Sequence, residues 1–177
     1  MVATTLMSAT PLVLIHGQRN SGKTTTAAAL TRQFPRVQRW HVWCHPSSVL
    51  SWDEKLQGRG SIHTTEDFQD LQLGGEGYIF DDFQNSFLNQ PLVQQALQQE
   101  RSVRIVCTQS IQDVMENSAP NYVIALRTNK RNLHTLAEVM DEPLDEVFER
   151  VQEVTSGTYD ALIANVQNRT YTMFHAN

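Results

Sequence analysis

The residues Gly17-Gln-Arg-Asn-Ser-Gly22-Lys23-Thr24 fill every fixed position of G-x-x-x-x-G-K-[ST], a spacing whose chemistry is the capture of a polyphosphate. Its glycines let the backbone curl until successive N–H groups face phosphate oxygens, and the amino end of the helix that follows adds partial positive charge. In such a loop Lys23 reaches the β- and γ-phosphates, and the Thr24 hydroxyl ligates Mg²⁺. The expected contact set for ATP is Gly17, Gln18, Arg19, Asn20, Ser21, Gly22, Lys23, Thr24 and Thr25.

A second group of residues would make the site hydrolytic. Tyr78-Ile-Phe-Asp81-Asp82 has the form of a buried strand tipped by acids. At that tip Asp81 would join Thr24 in the Mg²⁺ shell, and Asp82 would orient and deprotonate an attacking water. Val103-Arg-Ile-Val-Cys-Thr108 runs into Gln109-Ser110, which puts the Gln109 amide at the carboxyl edge of a strand, where it would sense the γ-phosphate or position water. Arg101 and Arg104 flank the other end of that strand, out of reach of their own subunit's phosphates. One of them, Arg101 for preference, would serve a neighbour's site in trans by neutralising charge in the transition state. Arg127, Lys130 and Arg131 form a further basic cluster with two readings, a phosphate-backbone contact or a trans arginine. The expected catalytic set is therefore Lys23, Asp82, Gln109 and Arg101.

Such residues meet only if several strand tips lie side by side. Pro11 to His16 is a continuous apolar run of strand length, and Lys23 to Phe34 reads as a helix ended before Pro35. Val37 to Cys44 reads as a second strand, followed by a loop at His45-Pro-Ser-Ser and a polar stretch to Leu71 with room for two short helices. Gly74 to Gly77 breaks the chain before the acid-tipped third strand; Pro91 to Gln99 suits a helix, Val103 to Thr108 a fourth strand and Tyr122 to Leu126 a fifth. Leu144, Val147, Phe148, Val151 and Val154 recur at helical steps behind Pro143, and Val166 to Phe174 has the density of an edge or hairpin strand. Alternating strands and helices predict an α/β fold, a mainly parallel sheet between two helical layers, with ligands at the strands' carboxyl ends.

Composition narrows the classes. With 177 residues, 40% of them hydrophobic, the expectation is a loose segment over 1–10 and one globular domain over 11–177. No segment reaches the roughly 20 apolar residues of a membrane span, and the first ten residues lack the features of a secretory signal. Cys44 and Cys107 stand in apolar runs with no CxxC partner and read as reduced core residues, while His41 and His45, beside Trp40 and Trp43, have no spacing that selects a metal. The net charge of −5 hides an asymmetry, since Arg19, Lys23, Arg32, Arg36 and Arg39 precede the first acid, Asp53. That basic segment has two readings: it meets a polyanion, or two of its residues serve ATP and three are solvated surface.

From Pro11 to Val166 the combined pattern resembles the FtsK–HerA class of P-loop ATPases, and within it the genome-packaging ATPases of poxvirus-like viruses, giant viruses and membrane-containing icosahedral viruses. The resemblance rests on Gly17–Thr24, Phe80-Asp81-Asp82, Arg101 before the sensor strand, Thr108-Gln109, and Tyr122-Val-Ile-Ala-Leu-Arg127 followed by a helix. It implies a P-loop NTPase three-layer sandwich with its five strands in the order 5-1-4-3-2, Gln109 beside the γ-phosphate, and possible extra strands at the C-terminal end. It also implies a pentameric or hexameric homo-oligomeric ring that translocates double-stranded DNA, working in the host cytoplasm or the virion, where capsid or virion-vertex proteins are possible partners. Ser110 departs from the pattern, standing where cellular translocases carry arginine. Two other classes share the phosphate loop: small-molecule kinases, since Asp82-Phe83-Gln84 nearly matches a thymidine-kinase pattern, and export or assembly ATPases related to filamentous-phage secretion.

Overall fold

Continuous apolar runs whose side chains are buried on both faces form the middle of a parallel sheet. In a computed structural model that describes residues 10–64, 75–83, 90–157 and 160–176, with the side chains of Asp82 and Phe83 outside the description, three such runs lie together. They are β1 (Leu12–His16), β5 (Val103–Thr108) and β6 (Tyr122–Ala125), and every residue of all three is buried. β2 (Trp40–Cys44), β3 (Gly60–Thr64) and β4 (Gly77–Phe83) extend the sheet on one side. β7 (Asp160–Asn165) and β8 (Thr170–His175) extend it on the other, giving the order β3-β2-β4-β5-β1-β6-β7-β8. Strands β1 to β6 pair in parallel, and β6, β7 and β8 pair antiparallel.

The order 5-1-4-3-2 expected for the five strands read from the sequence is present, with Val103–Thr108 wedged between Leu12–His16 and Gly77–Phe83. Three strands flank it. The stretch after Cys44, read as a loop and then two short helices to Leu71, holds among its described residues a 3₁₀ turn at Pro46–Ser48, one α-helix and then β3, a half-buried edge strand. At the other end an Ala- and Leu-rich segment, Asp160-Ala-Leu-Ile-Ala-Asn165, is β7, whose partner β8 is the strand expected in the tail. Residues 65–74, part of the stretch read as helical, and the N-terminal residues 1–9 lie outside the described residues.

Period-2 alternation sorts the core into two layers. Val13, Ile15, Ile79, Ile105, Cys107 and Ile124 face α1 (Lys23–Thr31) and α2 (Val49–Leu56), where Ala27, Leu30, Trp52 and Leu56 meet them. Leu14, Phe80, Val106 and Val123 face the opposite layer, formed by α3 (Pro91–Leu97), α4 (Ile111–Met115), α5 (His134–Met140) and α6 (Leu144–Thr155). α1 ends at Thr31, short of the Phe34 read from the sequence, because the chain turns through hydrogen bonds from the Gln33 and Phe34 amides to Leu30 and Thr31. Both cysteines are buried thiols, and neither is in a disulfide. Among the described residues no helix is long and apolar enough to cross a membrane.

Candidate active site

The loop from β1 to α1 is anchored on two neighbouring strands. The Gly17 N–H donates to the Thr108 carbonyl at the tip of β5 (3.4 Å), and the Gln18 N–H to the Arg127 carbonyl just beyond β6 (3.0 Å). Asn20 (φ 60°) and Gly22 (φ 99°) adopt left-handed backbone, the concave geometry that gathers N–H groups towards an anion. Gly17 is required by space, since a Cβ there would lie 2.2 Å from Ser21 Oγ. Ser21 Oγ is itself buried with no hydrogen-bond partner among the described residues. Lys23, only 8% exposed, donates from Nζ to the carbonyls of Gly17 (3.0 Å) and Gln18 (2.9 Å), which hold the ammonium over the loop. Curled amides, a poised ammonium and an unsatisfied hydroxyl fit a polyphosphate. Arg19 and Asn20 are exposed at the rim, and Thr24 and Thr25 are half-buried on the first turn of α1.

His16, the residue before the loop, is fully buried with Nε2 3.1 Å from Thr128 Oγ1. Burial first, and then the charge of Lys23, lower its pKa to about 4. The ring is therefore neutral at physiological pH and adds no second cation beneath the cradle.

β4 brings Asp81 to the same place through a bulge. Phe80 pairs with Val106 and Phe83 with Thr108, so β4 uses three steps where β5 uses two, and such an irregularity re-aims the side chains on it. The Asp81 carboxylate is 2% exposed, and its Oδ2 accepts hydrogen bonds from Thr24 Oγ1 (2.8 Å) and Trp52 Nε1 (2.8 Å). The all-oxygen set of Thr24 and Asp81 fits the hard Mg²⁺ ion. Burial, and then Asp81, push the Cys44 thiol up to about 12, so it stays protonated beside the site. Asp82 continues β4, but its side chain, like Gln84, lies outside the described residues.

Gln109 follows Thr108 directly and is exposed at the carboxyl edge, in the lining of a cavity of about 680 Å³ shared with Ser110, Arg131 and Glu138. Ser110 caps α4, its Oγ accepting from the Asp113 amide. Arg101 is exposed before the amino end of β5. Arg104 departs from the sequence reading: it is 6% exposed and donates to the carbonyls of Ser102, Leu97 and Thr10, so it fastens the loops at the strand's amino end and cannot serve a neighbour. Arg127 and Arg131 are exposed near the carboxyl edge, and Lys130 pairs with Asp145. Trp52 was absent from the sequence reading, because nothing local to a tryptophan at that position signals a carboxylate 29 residues further along the chain.

No family model matches the sequence, and no curated protein does. Solved structures do. The genome packaging NTPase B204 from Sulfolobus turreted icosahedral virus 2, in complex with ATP-gammaS, superposes with a TM-score of 0.64 at 17% identity, over 94% of this chain and 97% of that one. Its AMPPCP complex gives 0.63 at 16% identity, over 94% and 97%. B204 from Sulfolobus turreted icosahedral virus, described as a DNA-packaging ATPase, gives 0.59 at 16% identity, over 92% and 96%. The likeness is one of fold and spans nearly the whole of each chain.

Proposed function

We propose that this chain is a Mg²⁺-dependent ATPase that translocates double-stranded DNA, in the manner of a viral genome-packaging motor. The observation that carries the reading is the convergence of Lys23, Thr24 and Asp81 from the tips of two strands, β1 and β4, that flank β5, on a fold shared with packaging NTPases solved with ATP analogues. The loop amides and Lys23 bind and orient the triphosphate. Thr24 and Asp81 would hold Mg²⁺, which would supply positive charge to offset that of the triphosphate. Asp82 accepts the proton of the water that attacks the γ-phosphorus, as ADP leaves. Gln109 aligns that water or senses its product, and Arg101 acts on the γ-phosphate of an adjoining subunit. That role needs a second subunit, the resemblance to packaging ATPases implies a pentameric or hexameric ring, and Arg127 and Arg131 are candidates for DNA contact. The whole of 11–177 is read as this one catalytic domain, acting in the host cell or the virion against capsid or vertex proteins.

The test is steady-state ATP hydrolysis with and without duplex DNA. Stimulation by DNA is expected, together with loss of turnover but retained nucleotide binding in Asp82→Asn, a fall of ~10²–10⁴-fold. Phosphate transfer to a nucleoside with no effect of DNA would instead make the chain a small-molecule kinase. Mixing Arg101→Ala with Asp82→Asn subunits should restore part of the activity, and no rescue removes the trans role of Arg101.

A further inference from the structure

Of the three tryptophans, Trp40 and Trp43 bury their indole nitrogens without a hydrogen-bond partner among the described residues. Trp52 does not: its Nε1–H donates to Asp81 Oδ2 at 2.8 Å. The fold thus leaves two indoles unsatisfied and aims the third at the carboxylate of the metal shell.

The donor is held rigidly. Trp52 is fully buried in the layer between α2 and the sheet, in one core cluster with Val42, Cys44 and Leu56, and an indole so packed cannot follow a carboxylate that rotates. Thr24 donates to the same Oδ2, so Oδ1 is the oxygen bound by neither. We propose that Trp52 is a positioning residue for Mg²⁺: its indole fixes the rotamer of Asp81 and ties α2 to the metal shell. A donor to a metal-binding carboxylate sets both its orientation and its basicity. This inference rests on the nucleotide-binding reading above and adds a residue to it.

The experiment compares ATP affinity in Mg²⁺ with ATP affinity in EDTA, by calorimetry, for the wild type and for Trp52→Phe, which keeps an aromatic ring and removes the N–H. Expected is a loss of ~10–100-fold in the Mg²⁺-dependent part of the affinity, no change in EDTA, and no further loss when Trp52→Phe is added to Asp81→Ala. Equal losses in the two buffers would make Trp52 a packing residue and overturn the proposal, as would no loss in either. Should Trp52→Phe not fold, the wild type decides through its Trp52 indole N–H resonance, which must move when Mg²⁺ is added to the ATP-saturated protein; a stationary resonance overturns the proposal. A wild type that binds no Mg²⁺·ATP fails the underlying reading, a result distinct from both.

Discussion

Two regions gather charged side chains, and they are built on opposite plans. Beside the β7–β8 hairpin, Arg150 Nη1 donates to both oxygens of Glu142 (3.2 and 2.9 Å), and its guanidinium lies 4.2 Å from the centre of the Tyr171 ring. Burial works to raise the Glu142 pKa, but the bonds from Arg150 hold it below the ordinary range. That cluster answers its own charges and joins α6 to the sheet. At the cradle, Ser21 Oγ is left unsatisfied, Lys23 rests on the carbonyls of its own loop, and Asp81 is buried among neutral donors. A buried polar group without a partner is costly to a fold, and the one at Ser21 differs from others in the molecule in sitting beside the curled amides and the Lys23 ammonium, where a ligand could meet it.

The contrast can be broken from the cradle side first. Lys23→Ala should weaken ATP binding by ~100-fold or more while the folded protein survives, since the ammonium it removes serves the ligand; calorimetry and a thermal melt check the two halves. His16 gives the next effect. Its folded pKa of about 4 lies below the unfolded 6.5, so the unfolded chain binds the proton first as pH drops. Its stabilising contribution is complete above pH 6.5 and is lost as pH falls towards 4, a loss of about 3 kcal/mol. Urea unfolding across that window should show the slope, and His16→Gln should flatten it. The smallest effect is expected on the other side: Arg150→Ala should cost ~1 kcal/mol of stability, because the pair is partly solvated, and leave ATP affinity unchanged. A change in affinity there would erase the distinction between the two regions.

What sequence could reveal divides along the same line. The curled loop between β1 and α1 was legible because its geometry is local: Gly17, Gly22, Lys23 and Thr24 lie within eight residues of chain. β1, β5 and β6 were legible because strands buried on both faces read as unbroken apolar runs. β3 was not, since Gly60-Ser-Ile-His-Thr64 is half-buried throughout and carries no clear alternation. β7 was missed because the Ala and Leu of Asp160–Asn165 suit a helix as well as a strand, and only pairing with β6 and β8 decides. Arg104 and Trp52 were misjudged or missed for a single reason: their partners, Thr10, Leu97 and Asp81, are brought to them by the sheet. Side chains in long-range contact leave no mark on their own neighbourhood.

The wedging of β5 between β1 and β4 bears on how the molecule is made. Strand β1 emerges from the ribosome roughly ninety residues before its partner, as the pairing of Leu12 with Arg104 requires. Until β5 is synthesised, β1 and β4 each present an unpaired edge, a template for mispairing with another nascent chain. Closure of the cradle is thus a late event, and stalled chains of increasing length should acquire nucleotide binding abruptly once β5 and β6 have cleared the exit tunnel. Assembly of a closed cradle would then be timed by translation.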